Sequence, residues 1–144
     1  MKALSKIFFL LIVISGLYFT NGQVVGVIYD KTEASQKFGQ VLNSVTMSTS
    51  QLNNLLDKSG NYLLFKIDSG NLYILAEGRK PLFPDNLSVQ PEEVFKIVSV
   101  SKIKELLNQG QNKSTFFEER ENVYTISNGD YTLEEIVDCP PFCN

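Results

Sequence analysis

Apolar and polar residues follow a pattern that occurs twice along this chain. Each occurrence has an apolar strand, a helix with one apolar face and two further strands. The predicted strands are 41–47 and 94–100 before the two helices, and 62–67, 72–76, 114–119 and 123–127 after them. The pattern therefore predicts two β-α-β-β units, at about 41–78 and 94–129.

A comparison of the chain with itself supports this interpretation. When Ser48–Gly78 is aligned with Ser99–Gly129, a shift of 51 residues without gaps, nine of 31 positions are identical. Self-similarity at such a period is typical of a repeated structural unit. The identical positions include Phe65/Phe116 and Tyr73/Tyr124, for which core packing is favoured over a binding groove.

The start of each helix is marked by serine. Ser48 followed by Gln51 resembles a capping box, in which the hydroxyl and the amide satisfy free backbone amides. Ser99 or Ser101 is expected to cap the second helix. These serines could also present an anion site, but capping is the favoured interpretation. The apolar helical faces are Leu52, Leu55 and Leu56, and Ile103, Leu106 and Leu107.

Three more segments complete the predicted fold. Residues 24–29 form an extra strand, residues 31–38 a short helix, and residues 131–137 a last strand. Two units are too few for a solenoid, so we expect them to join. The predicted fold class is α+β, with two tandem repeats forming one pseudo-symmetric antiparallel sheet that carries its helices on one face.

The N-terminus has the three parts of a secretory signal peptide. Lys2 and Lys6 precede the apolar stretch Ile7–Phe19, and Gly22 can occupy the cleavage point before Gln23. Thirteen apolar residues fall short of the roughly 20 that a membrane-spanning helix needs. We therefore expect residues 1–22 to be removed, and residues 23–144 to form one exported domain in the periplasm or outside the cell, with no stable membrane insertion.

The two cysteines, Cys139 and Cys143, lie near the end of the chain. In an exporting pathway, oxidation is the default, so a disulfide closing a loop at 139–143 is predicted. Pairing with a second molecule remains the alternative. A zinc site would need four ligands, and the chain has no histidine and no other cysteine.

Composition excludes several kinds of chemistry. Without histidine, neither a Ser-His-Asp triad nor a histidine metal site can form. No glycine-rich phosphate loop follows a strand, and the acidic balance and only two arginines argue against nucleic acid as a partner. No metal or cofactor is therefore expected.

Acidic residues provide the only candidate catalytic group. Glu118, Glu119 and Glu121 lie near one hairpin, and Glu134 and Glu135 lie on the returning strand. If the protein is an enzyme, Glu119 and Glu135 are the candidate acid pair for a hydrolase. The favoured interpretation is that all five carboxylates are solvated and not catalytic.

The segment Glu77–Pro84 connects the two units and is a candidate contact loop. It contains Arg79, Lys80 and Phe83, a basic and aromatic combination suited to a protein surface. The leading functional hypothesis is thus an exported, non-enzymatic binding domain for an unknown protein or glycan. The alternatives are a small carboxylate-dependent hydrolase of envelope or extracellular polymers, and a structural component of the envelope.

Overall fold

The computed structural model describes residues 22–140, which form ten strands and three α-helices. The predicted signal peptide, apart from Gly22, lies outside the described residues, as does Cys143. No helix within 22–140 is long and apolar enough to cross a membrane. The helices are α1 Lys31–Phe38, α2 Thr49–Leu56 and α3 Val100–Gly110. The strands are β1 Val27–Asp30, β2 Val41–Ser48, β3 Tyr62–Asp68, β4 Asn71–Ala76, β5 Lys80–Phe83, β6 Phe95–Ser99, β7 Ser114–Arg120, β8 Tyr124–Asn128, β9 Tyr131–Glu134 and β10 Val137–Cys139.

The strands form two antiparallel sheets of five. Sheet I has the order β1-β9-β8-β7-β2, and sheet II has the order β10-β6-β3-β4-β5. The prediction of a single sheet is wrong because each unit gives its first strand to the other unit's sheet. Strand β2 pairs with β7, and β6 pairs with β3. The α+β class is correct.

This exchange is reciprocal in its hydrogen bonds as well. The Thr49 N–H donates to the Lys113 carbonyl at 2.9 Å, and the Val100 N–H donates to the Asn61 carbonyl at 2.9 Å. The element orders β2-α2-β3-β4-β5 and β6-α3-β7-β8-β9 therefore correspond. Duplication of one unit stays a prediction.

The two sheets pack face to face through a shared core. The rings of Phe65 and Phe117 meet edge to face at 5.1 Å between centroids, and both side chains are completely buried. Leu63 and Ile126 belong to the same core, which also receives the apolar faces of α2 and α3. The predicted helical faces, Leu52/Leu55/Leu56 and Ile103/Leu106/Leu107, are all buried.

After the helices, corresponding residues of the two units are 52 positions apart, one more than the 51 of the gapless alignment. Phe65 lies opposite Ile74, and its counterpart opposite Ile126 is Phe117, an offset of 52. The chain from the last leucine of the helical face to this phenylalanine is one residue longer in the second unit, from Leu107 to Phe117, than in the first, from Leu56 to Phe65. This extra residue moves Phe116 out of the core and leaves it half-buried. The expectation of a matched Phe65/Phe116 core pair is therefore wrong.

Helix α1 covers the outer face of sheet I. Its range, Lys31–Phe38, agrees with the predicted helix, and the Asp30 carboxylate caps it by accepting a hydrogen bond from the Glu33 N–H at 2.8 Å. Ala34, within this helix, is completely buried. The outer face of sheet II carries a second apolar cluster, which includes Tyr62, Leu64 and Phe95.

Candidate functional site

Strand β2 presents an open edge. It is the last strand of sheet I, and none of the described residues pairs with its outer side. Its sequence, Val41–Ser48, carries no charged residue and no proline. Val41 and Leu42 are 40% and 65% exposed at its start. Free edges without charge or proline are the ones most prone to pair with another strand.

The other three edge strands of the two sheets, β1, β10 and β5, are short, and each carries a charged residue. Strand β1 contains Asp30, and β10 contains Asp138. Strand β5 contains Lys80 and Pro81, and proline lacks the N–H that strand pairing needs. Short length, charge and proline all discourage pairing, so β2, with eight residues and neither charge nor proline, is the edge best suited to accept another strand.

An uncharged groove of about 400 Å³ lies directly beside this edge. We call it the edge groove, and it separates β2 of sheet I from β4 and β5 of sheet II. The described residues that line it include no charged side chain. Its apolar and aromatic lining consists of Val45, Met47, Leu72, Tyr73, Phe83 and Pro84. Grooves that are mainly apolar with a few polar groups are typical of binding sites.

A buried polar cluster lies under helix α1, on the opposite face of sheet I from the core. Side chains alternate along a strand, so Phe117 faces the core while Glu118 faces α1. One Glu118 carboxylate oxygen accepts hydrogen bonds from Arg120 at 3.2 Å, Thr125 at 2.9 Å and Ser127 at 2.8 Å. Arg120 also donates to the Gly39 carbonyl, directly after α1, at 2.7 Å. The cluster therefore ties sheet I to the end of the helix.

The prediction that all five carboxylates are solvated is wrong for two of them. Glu118 and Glu134 are only 5% and 4% exposed, because both project beneath α1. Burial raises the pKa of the Glu134 carboxyl above its ordinary value of 4.5, although the backbone N–H of Glu135 opposes the shift. The hydroxyls and the guanidinium of the cluster are bonded to Glu118 or to one another, as a structural network requires.

The structure gives the two candidate catalytic carboxylates different partners. Glu119, on the core-facing side of β7, accepts a hydrogen bond from the Tyr124 hydroxyl at 3.3 Å. Glu135 is exposed and binds the Tyr29 hydroxyl at 2.5 Å and Lys37 at 3.7 Å. No contact brings the pair together, and within residues 22–140 no cluster of three acidic or cysteine side chains suits a metal ion.

The predicted contact loop divides into three different environments. Phe83 lines the edge groove, and Lys80 is exposed on β5. The Arg79 guanidinium instead donates to the carbonyls of Glu93 at 2.6 Å and Gln90 at 3.1 Å. Arg79 therefore holds the segment that returns to β6, and Phe83 is the member of this loop that belongs to the candidate site.

That returning segment is also held by an ion pair. Lys66 Nζ donates to the Glu93 carboxylate at 2.9 Å. This hydrogen bond lowers the pKa of the Glu93 carboxyl and raises the pKa of the Lys66 ammonium. The pair is partly exposed, so its main effect is to position the segment.

The serine caps differ between the two helices. The Ser48 hydroxyl accepts from the Gln51 N–H at 3.1 Å, as predicted. The Ser99 hydroxyl instead accepts from the Val25 N–H at 2.7 Å, which anchors the N-terminal segment beside β6. Cys139 is completely buried, but its predicted partner Cys143 is outside the described residues, so the disulfide remains a prediction.

The edge groove was not predicted from the sequence. Strand β2 was predicted correctly, but which strands neighbour it depends on the exchange between units. The signal available in the sequence was the absence of charged residues from strand β2.

Comparisons with protein-family models, with curated proteins and with solved structures find no match to this chain.

Proposed function

We propose that this protein is an exported, non-enzymatic binding domain that takes an extended segment of a partner protein onto strand β2. The observation that carries the proposal is the open, uncharged edge of β2 beside the edge groove. In strand addition, main-chain hydrogen bonds supply affinity, and pockets for alternate side chains supply specificity. The edge of β2 would supply the main-chain hydrogen bonds, and the edge groove would supply the side-chain pocket.

The hydrolase alternative has less support. The buried carboxylate Glu118 is already bonded to Arg120, Thr125 and Ser127. A general acid or base must instead reach the reacting atom of a substrate. The arrangement under α1 supports a structural role for this carboxylate.

Selection from a random library of twelve-residue peptides displayed on phage tests the binding function. The full chain, recovered from the medium of a secreting host, serves as the target. Val45 faces the edge groove, and a Val45→Asp substitution would place an uncompensated carboxylate there. We expect this variant to bind the selected peptides at least about tenfold more weakly, a loss of about 1.4 kcal/mol in binding free energy.

The control is Ser44→Asp, which puts the same charge on the neighbouring, exposed residue of the same strand. It should change affinity by less than about twofold, since Ser44 does not line the groove and side chains alternate along a strand. Should Val45→Asp fail to fold, Phe83→Ala provides a second variant of the groove. A selection without binders, or peptides insensitive to both groove variants, would contradict the proposal.

We also propose that the domain is exported after cleavage before Gln23, and that its two units arose as copies. Export is tested by intact mass of the protein recovered from a secreting host. The expected mass corresponds to a chain that starts at Gln23, with Lys2 and Lys6 absent. A secreted product that retains these lysines would refute the signal-peptide hypothesis.

A further inference from the structure

Strand β2 has a counterpart within the same molecule, strand β6. Each ends at the serine that precedes a helix, Ser48 or Ser99, and each pairs with the strand that follows the other's helix. Val45 lies opposite Phe117 in one pair, and Lys96 lies opposite Phe65 in the other. Because these pairings correspond, Val45 and Lys96 occupy equivalent positions in the two sheets, and the two phenylalanine rings touch in the core between them.

The outer edge of β6 shows what such an edge accepts. Strand β10 lies antiparallel on it, with Val137 opposite Ile97, Asp138 opposite Lys96 and Cys139 opposite Phe95. The Lys96 ammonium binds the Asp138 carboxylate and lies 4.9 Å from the centre of the Tyr124 ring in the facing sheet. The strand that occupies this edge therefore places a negative charge opposite the positive charge of Lys96.

At β2 the equivalent environment is neutral. Val45 replaces Lys96, and Leu72 takes the place of Tyr124, because the offset of 52 relates these two positions. Both Val45 and Leu72 line the edge groove. A carboxylate placed there would lose water without gaining a cation, whereas an apolar side chain would bury surface favourably.

We infer that the partner segment lies antiparallel to β2 and places an uncharged, apolar side chain opposite Val45. This inference rests on the proposed binding function and specifies its partner. An extended segment in this orientation would occupy β2 as β10 occupies β6, with its apolar side chain in the edge groove beside Phe83.

Two synthetic peptides test the inference by NMR titration of the isotope-labelled full chain. The first has the β10 sequence of residues 135–140 with serine in place of cysteine, and the second also carries Asp138→Val. The valine peptide should shift the amide signals of Asn43–Met47 and bind about tenfold more tightly than the aspartate peptide. In the Val45→Lys variant the preference should reverse, since a lysine then faces the peptide as Lys96 faces Asp138.

Direction is measured with a spin label on the N-terminus of the valine peptide. Antiparallel binding should broaden the signals near Met47 and leave those near Val41 sharp. Broadening near Val41, or an aspartate peptide that binds the unmodified chain equally well, overturns the inference while leaving strand addition in place. If neither peptide affects β2 even at millimolar concentration, strand addition itself fails at this edge.

A second copy of the chain is the competing occupant. Sedimentation of the chain alone distinguishes it, because self-pairing through β2 would give a dimer without any peptide. We expect a monomer. A dimer that Val45→Asp dissociates and Ser44→Asp preserves would overturn the inference in favour of self-association.

Discussion

Removing the Glu118 carboxylate is the most informative test of how the polar cluster supports the fold. Glu118 and Arg120 have side chains only 6% and 1% exposed, and the carboxylate also accepts hydrogen bonds from Thr125 and Ser127. Glu118→Leu would leave the buried guanidinium without its ion-pair partner, at a cost of about 3–5 kcal/mol. That loss is a large share of the roughly 5–15 kcal/mol that stabilises a domain.

Replacing both partners should cost much less than replacing one. In Glu118→Leu/Arg120→Met neither member of the ion pair stays buried without its partner, so we expect a loss below about 2 kcal/mol, caused mainly by the hydrogen bonds that Gly39 and Thr125 lose. Glu121→Leu is the matched control, because Glu121 is exposed on the loop after β7 and its loss should change stability by about 0.5 kcal/mol or less.

Urea unfolding measures these differences. The chain has six tyrosines and no tryptophan, so tyrosine fluorescence and far-ultraviolet circular dichroism are suitable probes. A Glu118→Leu variant that loses less than about 1 kcal/mol would refute the argument, as would a double variant no more stable than the single one. Either result would mean that the cluster is hydrated or that α1 opens readily.

Three further predictions concern the stability of the fold. Because the folded-state pKa of Glu134 is raised, its stabilising contribution is complete below about pH 4.5 and is lost as pH rises through the folded pKa. The stability of Glu134→Gln relative to the parent should therefore increase with pH in urea titrations between pH 4 and 8, and a constant difference would contradict this. Phe117→Ala should cost about 3–5 kcal/mol in the same assay and Phe116→Ala less than about 1.5 kcal/mol; the reverse order would support the gapless alignment. Replacing Cys139 and Cys143 with serine should lower stability by about 2 kcal/mol and preserve the circular dichroism spectrum, whereas two free thiols in the native protein would rule out the disulfide.

Local features of the fold were predictable because they depend on neighbouring residues. Helix α1 and the Ser48 cap follow from short-range hydrogen bonding and apolar spacing. The last predicted strand was partly correct, but it divides into β9 and β10, which join different sheets. This division follows from contacts far along the chain, and such contacts leave no local pattern.

The candidate site was less predictable for the same reason. The edge groove forms only because β2 crosses to sheet I while β4 and β5 remain in sheet II. The burial of Glu118 and Glu134 similarly requires α1 to lie over one face of β7, β8 and β9. Phe83 was recognised from its loop, whereas Val45 could not be recognised before the exchanged pairing of β2 was known.

Hydrogen exchange at the amides of strand β2 shows directly whether a peptide pairs with this edge. The full chain is compared with and without a peptide selected from the random library, and exchange is followed residue by residue by NMR. If the peptide adds to β2, exchange should slow at alternate residues of Val41–Ser48, because only every second N–H of an edge strand points outward. Unchanged exchange along β2, with protection confined to another part of the molecule, would contradict this prediction.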